Sequence, residues 1–298
     1  MKKLLDMEVA LTLAVLLCSC AARDGMVVAH KGEVERIETE HGDYLQYIPK
    51  SFDGSPRVLM VAHGTVKATG PTALEWADRF IRRWLEFAEK NRTVVIAPAF
   101  DMHRYQSSGG YRALFGRDIG ADEFATRAVD RLKAIIPGFD GRFYLYGHSA
   151  GAQFAVHYAV RHPERLHQVV LSAPGRYPYP DTSVPWPYGA GRMEEDLPYT
   201  NPDELRHVVV EPDFEGWIRA TRLPITIVIG SDDTIPQPER PGQRGITRVD
   251  FARSWAEDMN ELARRHGRPP CVKLIIIPGA RHGSAVLTSA CQMALKFR

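Results

Sequence analysis

The sequence predicts an α/β fold: a mainly parallel central sheet with helices on both faces and one lid-like insertion. Three observations predict it. Short runs such as "RVLMVAH" and "ITIVIG" are almost continuously apolar, as strands buried on both faces must be. These runs alternate with stretches of helical periodicity through most of the chain, which implies right-handed βαβ crossovers. One stretch, 175–222, breaks the alternation and is rich in proline, tyrosine and tryptophan.

Taken in order, "DYLQYIP" is a short strand before a turn, and "RVLMVAH" (57–63) is a buried strand. Thr72 and Glu75 form a capping box, and Leu74, Phe80, Ile81, Trp84, Phe87 and Ala88 continue it with helical spacing. "TVVIAP" is the next strand and "GADEFATRAVDRLKAII" the next helix, with acidic residues in its first turn. "RFYLYG" is a strand, "AGAQFAVHYAVRHP" a helix ended by Pro163, and "QVVLSA" a strand. After the insertion come "ITIVIG", a helix over 249–266, "VKLIIIP" and a helix over 284–296. A connection as long as 175–222 inside one domain is commonly a lid or binding element, and its aromatic residues argue against disorder.

The chain has 298 residues, 44% hydrophobic and 25% charged, which is enough to bury a large core without disulfide staples. The net charge of +2 is interspersed, so nothing suggests nucleic acid as a partner. Residues 1–20 read as an export signal: Lys2 and Lys3 precede an apolar run over 9–17 that is too short to span a bilayer. "LCSC" (17–20) resembles a bacterial lipoprotein box. The resemblance implies that Cys20 is lipidated and becomes the first residue of the mature chain. A plain secretory signal cut near Ala21 or Ala22 is the other reading, and Asp6 and Glu8 are unusual before such a run. Either way an exported protein is expected, in the cell envelope as a lipoprotein or else periplasmic or secreted. Residues 21–298 then form a single domain. Cys271 and Cys291 are expected to be small, free core residues, with a disulfide as the alternative. No CxxC and no histidine cluster at metal spacing appears, so no zinc site is expected.

The chemistry centres on "YLYGHSAGAQ" (144–153). Gly147-His148-Ser149-Ala150-Gly151 is G-x-S-x-G between a strand and a helix, the context a nucleophile elbow requires. A tight turn there leaves no room for side chains two residues either side of the serine. It also aims the free N–H groups of a helix N-terminus at whatever the serine attacks. A serine needs a base beside it. Three further segments lie at the carboxyl ends of strands. In "VAHGT" the N–H of Thr65 can join that of Ala150 as an oxyanion hole, with Gly64 allowing close approach. "IVIGSDDT" offers Asp232 and Asp233, and "IIIPGARHG" offers His282. Of eleven histidines, His282 alone follows both the acid and a final strand. Adjacent side chains point in different directions, so one aspartate is expected to reach the histidine. Two residues of turn after the strand make Asp233 the expected one, with Asp232 facing outward and capping the loop through backbone N–H groups.

These residues resemble the α/β-hydrolase superfamily over 44–298. More narrowly, "GHSAGAQF", "GSDDT" and "PGARHG" resemble exported bacterial serine esterases of the polyhydroxyalkanoate depolymerase-like and feruloyl-esterase-like branch. The resemblance implies a Ser149–Asp233–His282 triad, no cofactor, and hydrolysis of small or polymeric carboxylic esters through an acyl-enzyme. "HGT" stands where "HGG" is commoner, which keeps the N–H and narrows the pocket. A peptidase or amidase using the same triad is the alternative within enzymes. A catalytically silent, lipid-anchored binding protein is the alternative from another class. Trp186, Tyr188 and Tyr177, with Tyr179 and Tyr199, are expected either to roof the cleft and stack on a flat substrate or to pack the insertion onto the body.

Overall fold

The apolar runs become strands because they can pair side by side while helices cover both faces. β1 (Val34–Thr39) and β2 (Gly42–Tyr47) form an antiparallel pair at one side. β3 (Val58–Ala62), β4 (Val94–Pro98), β5 (Phe143–His148), β6 (Leu166–Ser172), β9 (Ile225–Gly230) and β10 (Val272–Ile277) pair in parallel. β2 joins β4 antiparallel, and the eight-stranded order is β1-β2-β4-β3-β5-β6-β9-β10. Every residue of β3, β4, β5 and β9 is buried, as continuous apolar strands in a two-face-covered sheet should be. The helices are α1 (Ala73–Arg82), α2 (Leu85–Asn91), α3 (Ala121–Asp130), α4 (Ala150–Arg161), α5 (Phe214–Ala220), α6 (Arg248–Arg265) and α7 (Ser284–Ala294). This computed structural model describes residues 30–67, 69–100, 110–116, 118–198 and 203–297. The expected signal segment, Cys20 and Tyr199 lie outside the described residues.

Local chemistry explains where the elements begin and end. Thr72 and Glu75 close both hydrogen bonds of the capping box that starts α1. Thr247 and Asp250 do the same for the eighteen-residue α6. The helical spacing over 74–88 is split into α1 and α2, because Trp84 turns fully inward and its N–H bonds back to Ile81. The helix expected over 120–136 ends as α3 at Asp130 and continues as a tight 3-10 turn, Arg131–Ala134. β1 was not expected: "VERIET" alternates charged and apolar residues, as suits a strand at the edge of the sheet.

The insertion is also more regular than a loop. β7 (Met193–Pro198) and β8 (Leu205–Val210) pair only with each other, and α5 follows. Three consecutive acids in "MEEDLP" hid β7 from a reading based on apolar runs. Cys271 and Cys291 are free thiols, and burial pushes them up to about 11 and about 12.

Candidate active site

Parallel strands all end on one edge of the sheet, so the loops after β3, β5, β9 and β10 meet there. Ser149 sits between β5 and α4 with φ +53° and ψ −111°, a left-handed conformation that a non-glycine residue rarely adopts. Two glycines make this turn possible. A Cβ on Gly147 would lie 2.1 Å from the carbonyl oxygen of Gly151, and one on Gly151 would lie 2.2 Å from that of Ala62. Both obstacles are backbone, so neither position tolerates a side chain. Gly64 differs from expectation. A Cβ there would meet nothing nearer than 3.6 Å, so its glycine is not forced by crowding.

The loops after β9 and β10 lock together. The N–H of Asp232 donates to the carbonyl of Ala280, and that of Gly279 to the hydroxyl of Ser231. This brings His282 over the elbow, with Nε2 2.9 Å from Ser149 Oγ. On its other side Nδ1 is 2.7 Å from Asp233 Oδ2. A neutral imidazole that donates from Nδ1 leaves Nε2 to accept the serine proton. Asp232 is exposed, and its carboxylate accepts from the Ser231 hydroxyl at 2.7 Å rather than from backbone N–H groups.

Asp233 is fully buried and has a second partner that sequence reasoning missed: Arg248 Nη1 donates to its Oδ1 at 2.9 Å. Burial alone would raise this carboxyl. The hydrogen bonds and charges of His282 and Arg248 outweigh it and hold the group below its ordinary value. Arg248 is the first residue of α6, fifteen positions from Asp233, with no motif linking the two.

The loop carrying Thr65 is fixed from below by His63, which is buried and neutral. Its Nδ1 lies 2.7 Å from the carbonyl of Gly64, and its Nε2 accepts from the N–H of Phe100 at 3.0 Å. Burial lowers this imidazole to about 4. The Tyr111 hydroxyl donates to the carbonyls of His63 at 2.9 Å and Gly64 at 3.2 Å. These bonds occupy the carbonyls of the loop and leave Thr65 at the cavity wall. Ala150 opens α4, where N–H groups have no partner within the helix.

A family model described as alpha/beta hydrolase fold matches residues 128–217, which hold β5, the elbow and β6. Solved structures extend the likeness. Poly(aspartic acid) hydrolase-1 from Sphingomonas sp. KT-1 superposes with a TM-score of 0.68 at 20% identity, covering 89% of this chain and 98% of that one. LpqC, a poly(3-hydroxybutyrate) depolymerase from Bordetella parapertussis, gives 0.68 at 21% identity, covering 88% and 89%. The acetyl xylan esterase from Aspergillus awamori gives 0.52 at 11% identity, covering 88% and 98%. No curated protein sequence matches significantly.

The chain has the α/β-hydrolase fold. In such a fold the strand ends should open onto a cavity, and one of about 230 Å3 does lie beside Ser149, with Thr65 at its wall. The insertion supplies Gly175, Arg176, Pro187 and Tyr188. Trp186 and Tyr177, expected as candidates for stacking on a substrate, are not among the lining residues and are buried. The Trp186 indole N–H donates to the carbonyl of Ala113 at 3.0 Å, and its ring meets His157 edge-on. The Tyr177 ring stacks on Trp255 at 5.2 Å. Both rings pack the insertion onto the body, and Tyr188 alone of the three faces the cavity. A larger cleft of about 1110 Å3 lies at the amino ends of β9 and β10 and includes none of Ser149, Asp233 and His282.

Proposed function

We propose that the protein is a serine hydrolase that cleaves carboxylic esters through an acyl-enzyme. The observation that carries the reading is the continuous hydrogen-bonded line from Asp233 through His282 to Ser149 Oγ, at 2.7 and 2.9 Å, on a serine held at positive φ. Ester-cleaving enzymes on the same fold, a depolymerase and an acetyl xylan esterase, support it.

In this reading His282 Nε2 takes the Ser149 proton as Oγ bonds to the ester carbonyl carbon. The carbonyl oxygen becomes an oxyanion between the N–H groups of Thr65 and Ala150. His282 then gives that proton to the departing alkoxide. Water repeats the sequence on the acyl-enzyme, and the proton it loses returns to Ser149 when the acid leaves. Asp233 holds the imidazole in the useful tautomer and stabilises the imidazolium. Arg248 holds Asp233 from the far side, so the carboxylate stays ionised and cannot rotate freely.

The test is reaction with a fluorophosphonate and turnover of a panel of 4-nitrophenyl esters. A covalent adduct on Ser149 is expected, and Ser149→Ala should lose both labelling and about 10⁶-fold in kcat while still folding. A wild type that neither labels nor turns over any ester or amide would leave the silent binding protein as the better reading. Turnover of amides alone would make it an amidase. We also propose export with lipidation at Cys20, which the "LCSC" box supports. Cys20→Ser should then move the protein out of the membrane fraction, and a wild type already free of that fraction would refute lipidation.

A further inference from the structure

The wall of the cavity beside Ser149 carries four arginines, Arg112, Arg176, Arg240 and Arg248. They come from three parts of the chain: Arg112 from the 3-10 turn Gly110–Ala113, Arg176 from the start of the stretch after β6, and Arg240 and Arg248 from the segment that runs from β9 into α6. Among the described residues lining the cavity there is no carboxylate. Charge runs on a surface are usually solvated and neutralised by interleaved acids. Here like charges from three parts of the chain face one small space.

Their partners sharpen the point. Arg176 has a long contact to the carbonyl of Gly175, at 3.5 Å, and lies over the Phe251 ring at 5.8 Å, with no ion pair among the described residues. Arg240 likewise makes no ion pair among them. Arg248 spends one nitrogen on Asp233, while its Nε is buried with no hydrogen-bond partner. Burial lowers Arg176 from its ordinary value. Tyr188 opposes that shift, and Arg240, Arg248 and Arg112 each add to it by repulsion. Arg112 is lowered by burial as well, with Arg240 adding to the effect. An orphaned buried donor and crowded guanidinium groups are costly in an empty site, and an anion placed among them would relieve both.

We infer that this cavity receives an oxyanionic group of the substrate, a carboxylate or phosphate held by the guanidinium forks of Arg176, Arg240 and Arg248. The inference rests on the serine hydrolase reading and names the substrate class for that site. Guanidinium groups match such oxyanions bidentately. The cavity, about 230 Å3, is smaller than the roughly 300–1,000 Å3 of sites for drug-sized ligands, so the charge sits on a short arm close to the scissile carbonyl. A long neutral acyl chain has no apolar slot among these residues.

The experiment compares charged esters with their neutral counterparts at low salt. 4-Nitrophenyl monoglutarate is set against its methyl ester, 4-acetoxybenzoate against methyl 4-acetoxybenzoate, and 4-acetoxyphenyl phosphate against its dimethyl ester. The wild type should prefer at least one anion by about tenfold or more in kcat/KM, the scale of one charge-assisted hydrogen bond. The pair that shows the preference identifies the group and the side of the ester that carries it. The ratio should fall toward one in Arg176→Gln and Arg240→Gln and shrink as salt is raised. Equal rates for every pair would overturn the inference and leave the esterase reading standing. No turnover of any ester would overturn the esterase reading and this inference with it. The wild-type ratios decide even if a variant fails to fold.

Discussion

The elbow and the insertion are held to the same sheet by different means. At the elbow, backbone presses on backbone: Gly147 and Gly151 have obstacles 2.1 and 2.2 Å from where a Cβ would be, the first in the opening turn of α4 and the second in the buried strand β3. In the insertion, side chains press on side chains. Trp186 and Tyr177 anchor its root against Ala113, His157 and Trp255, while β7 and β8 extend beyond it with Leu205 and Val209 exposed. The first kind of constraint leaves a local signature, because only glycine satisfies it. The second leaves none, because many large residues can fill the same space. Chemistry is split the same way. The groups proposed to move protons stand on the rigid strand ends, and those proposed to choose the substrate stand on the segments around them, Arg176 on the insertion and Arg240 and Arg248 on the connection after β9.

The largest expected effect separates the two aspartates after β9. Arg248 donates to Asp233 Oδ1, so in Asp233→Asn the amide oxygen will stay toward Arg248 and the NH2 will turn to His282 Nδ1. That nitrogen must then accept, the imidazole proton moves to Nε2, and the base cannot take the serine proton. Turnover should fall by about 10⁴-fold with the fold retained. Asp232→Asn changes an exposed carboxylate bonded to Ser231 and should alter kcat by less than roughly threefold, in line with a surface change of about 0.5 kcal/mol. Steady-state kinetics of both variants decide it, and the reverse order would move the orienting role to Asp232.

The legible part of the site follows from this contrast. Ser149, His282 and Asp233 each lie within a few residues of a strand that apolar runs mark, so strand ends and chain order locate them. Arg248, Tyr111 and the arginine wall are brought in by tertiary packing from segments that carry no periodic or turn signal. His157, on the helix behind the serine, lines the cavity as well, with Nε2 2.8 Å from the carbonyl of Pro187. The five apolar inner strands and their final neighbour were readable for the same reason as the elbow. β1 and the β7–β8 hairpin were not, because strands with solvated faces tolerate Glu, Asp and Arg.

A second prediction uses histidines of the elbow region. His63, His148 and His157 are buried, and burial lowers them to about 4, 3 and 4. An unfolded chain protonates such groups near pH 6.5, whereas the folded chain resists until its own lower values. Between those limits the unfolded state holds more protons, so stability rises with pH and is lost as pH falls below about 6.5. His63 shows the cause: its Nε2 already accepts from the N–H of Phe100, and a proton there would face another proton. Each such group contributes about 1.4 kcal/mol per pH unit inside the window, so three give a slope near 4 kcal/mol per pH unit. Urea midpoints at pH 7.5, 6 and 5 measure it. A flat profile over that range would show that the elbow opens readily to water.

The smallest expected effect tests whether the root of the insertion is a second core. Trp186 is 4% exposed, donates to Ala113, meets His157 edge-on at 4.7 Å and lies under the Arg161 guanidinium. Its replacement by alanine removes one of the larger buried rings and leaves the carbonyl of Ala113 without that donor. The loss should be about 3 kcal/mol, the lower end for a buried aromatic truncated to alanine, because the neighbouring loop can partly collapse into the space. Activity should follow through Pro187 and Tyr188, which line the cavity and are covalently next to the lost anchor. KM should therefore rise more than kcat falls, equally for alkyl and aryl esters, since the ring itself touches no substrate. Thermal unfolding together with kinetics on both ester types distinguishes the cases. Unchanged stability with a selective loss of aryl esters would put Trp186 on the substrate and make the root of the insertion a movable roof rather than a packed core.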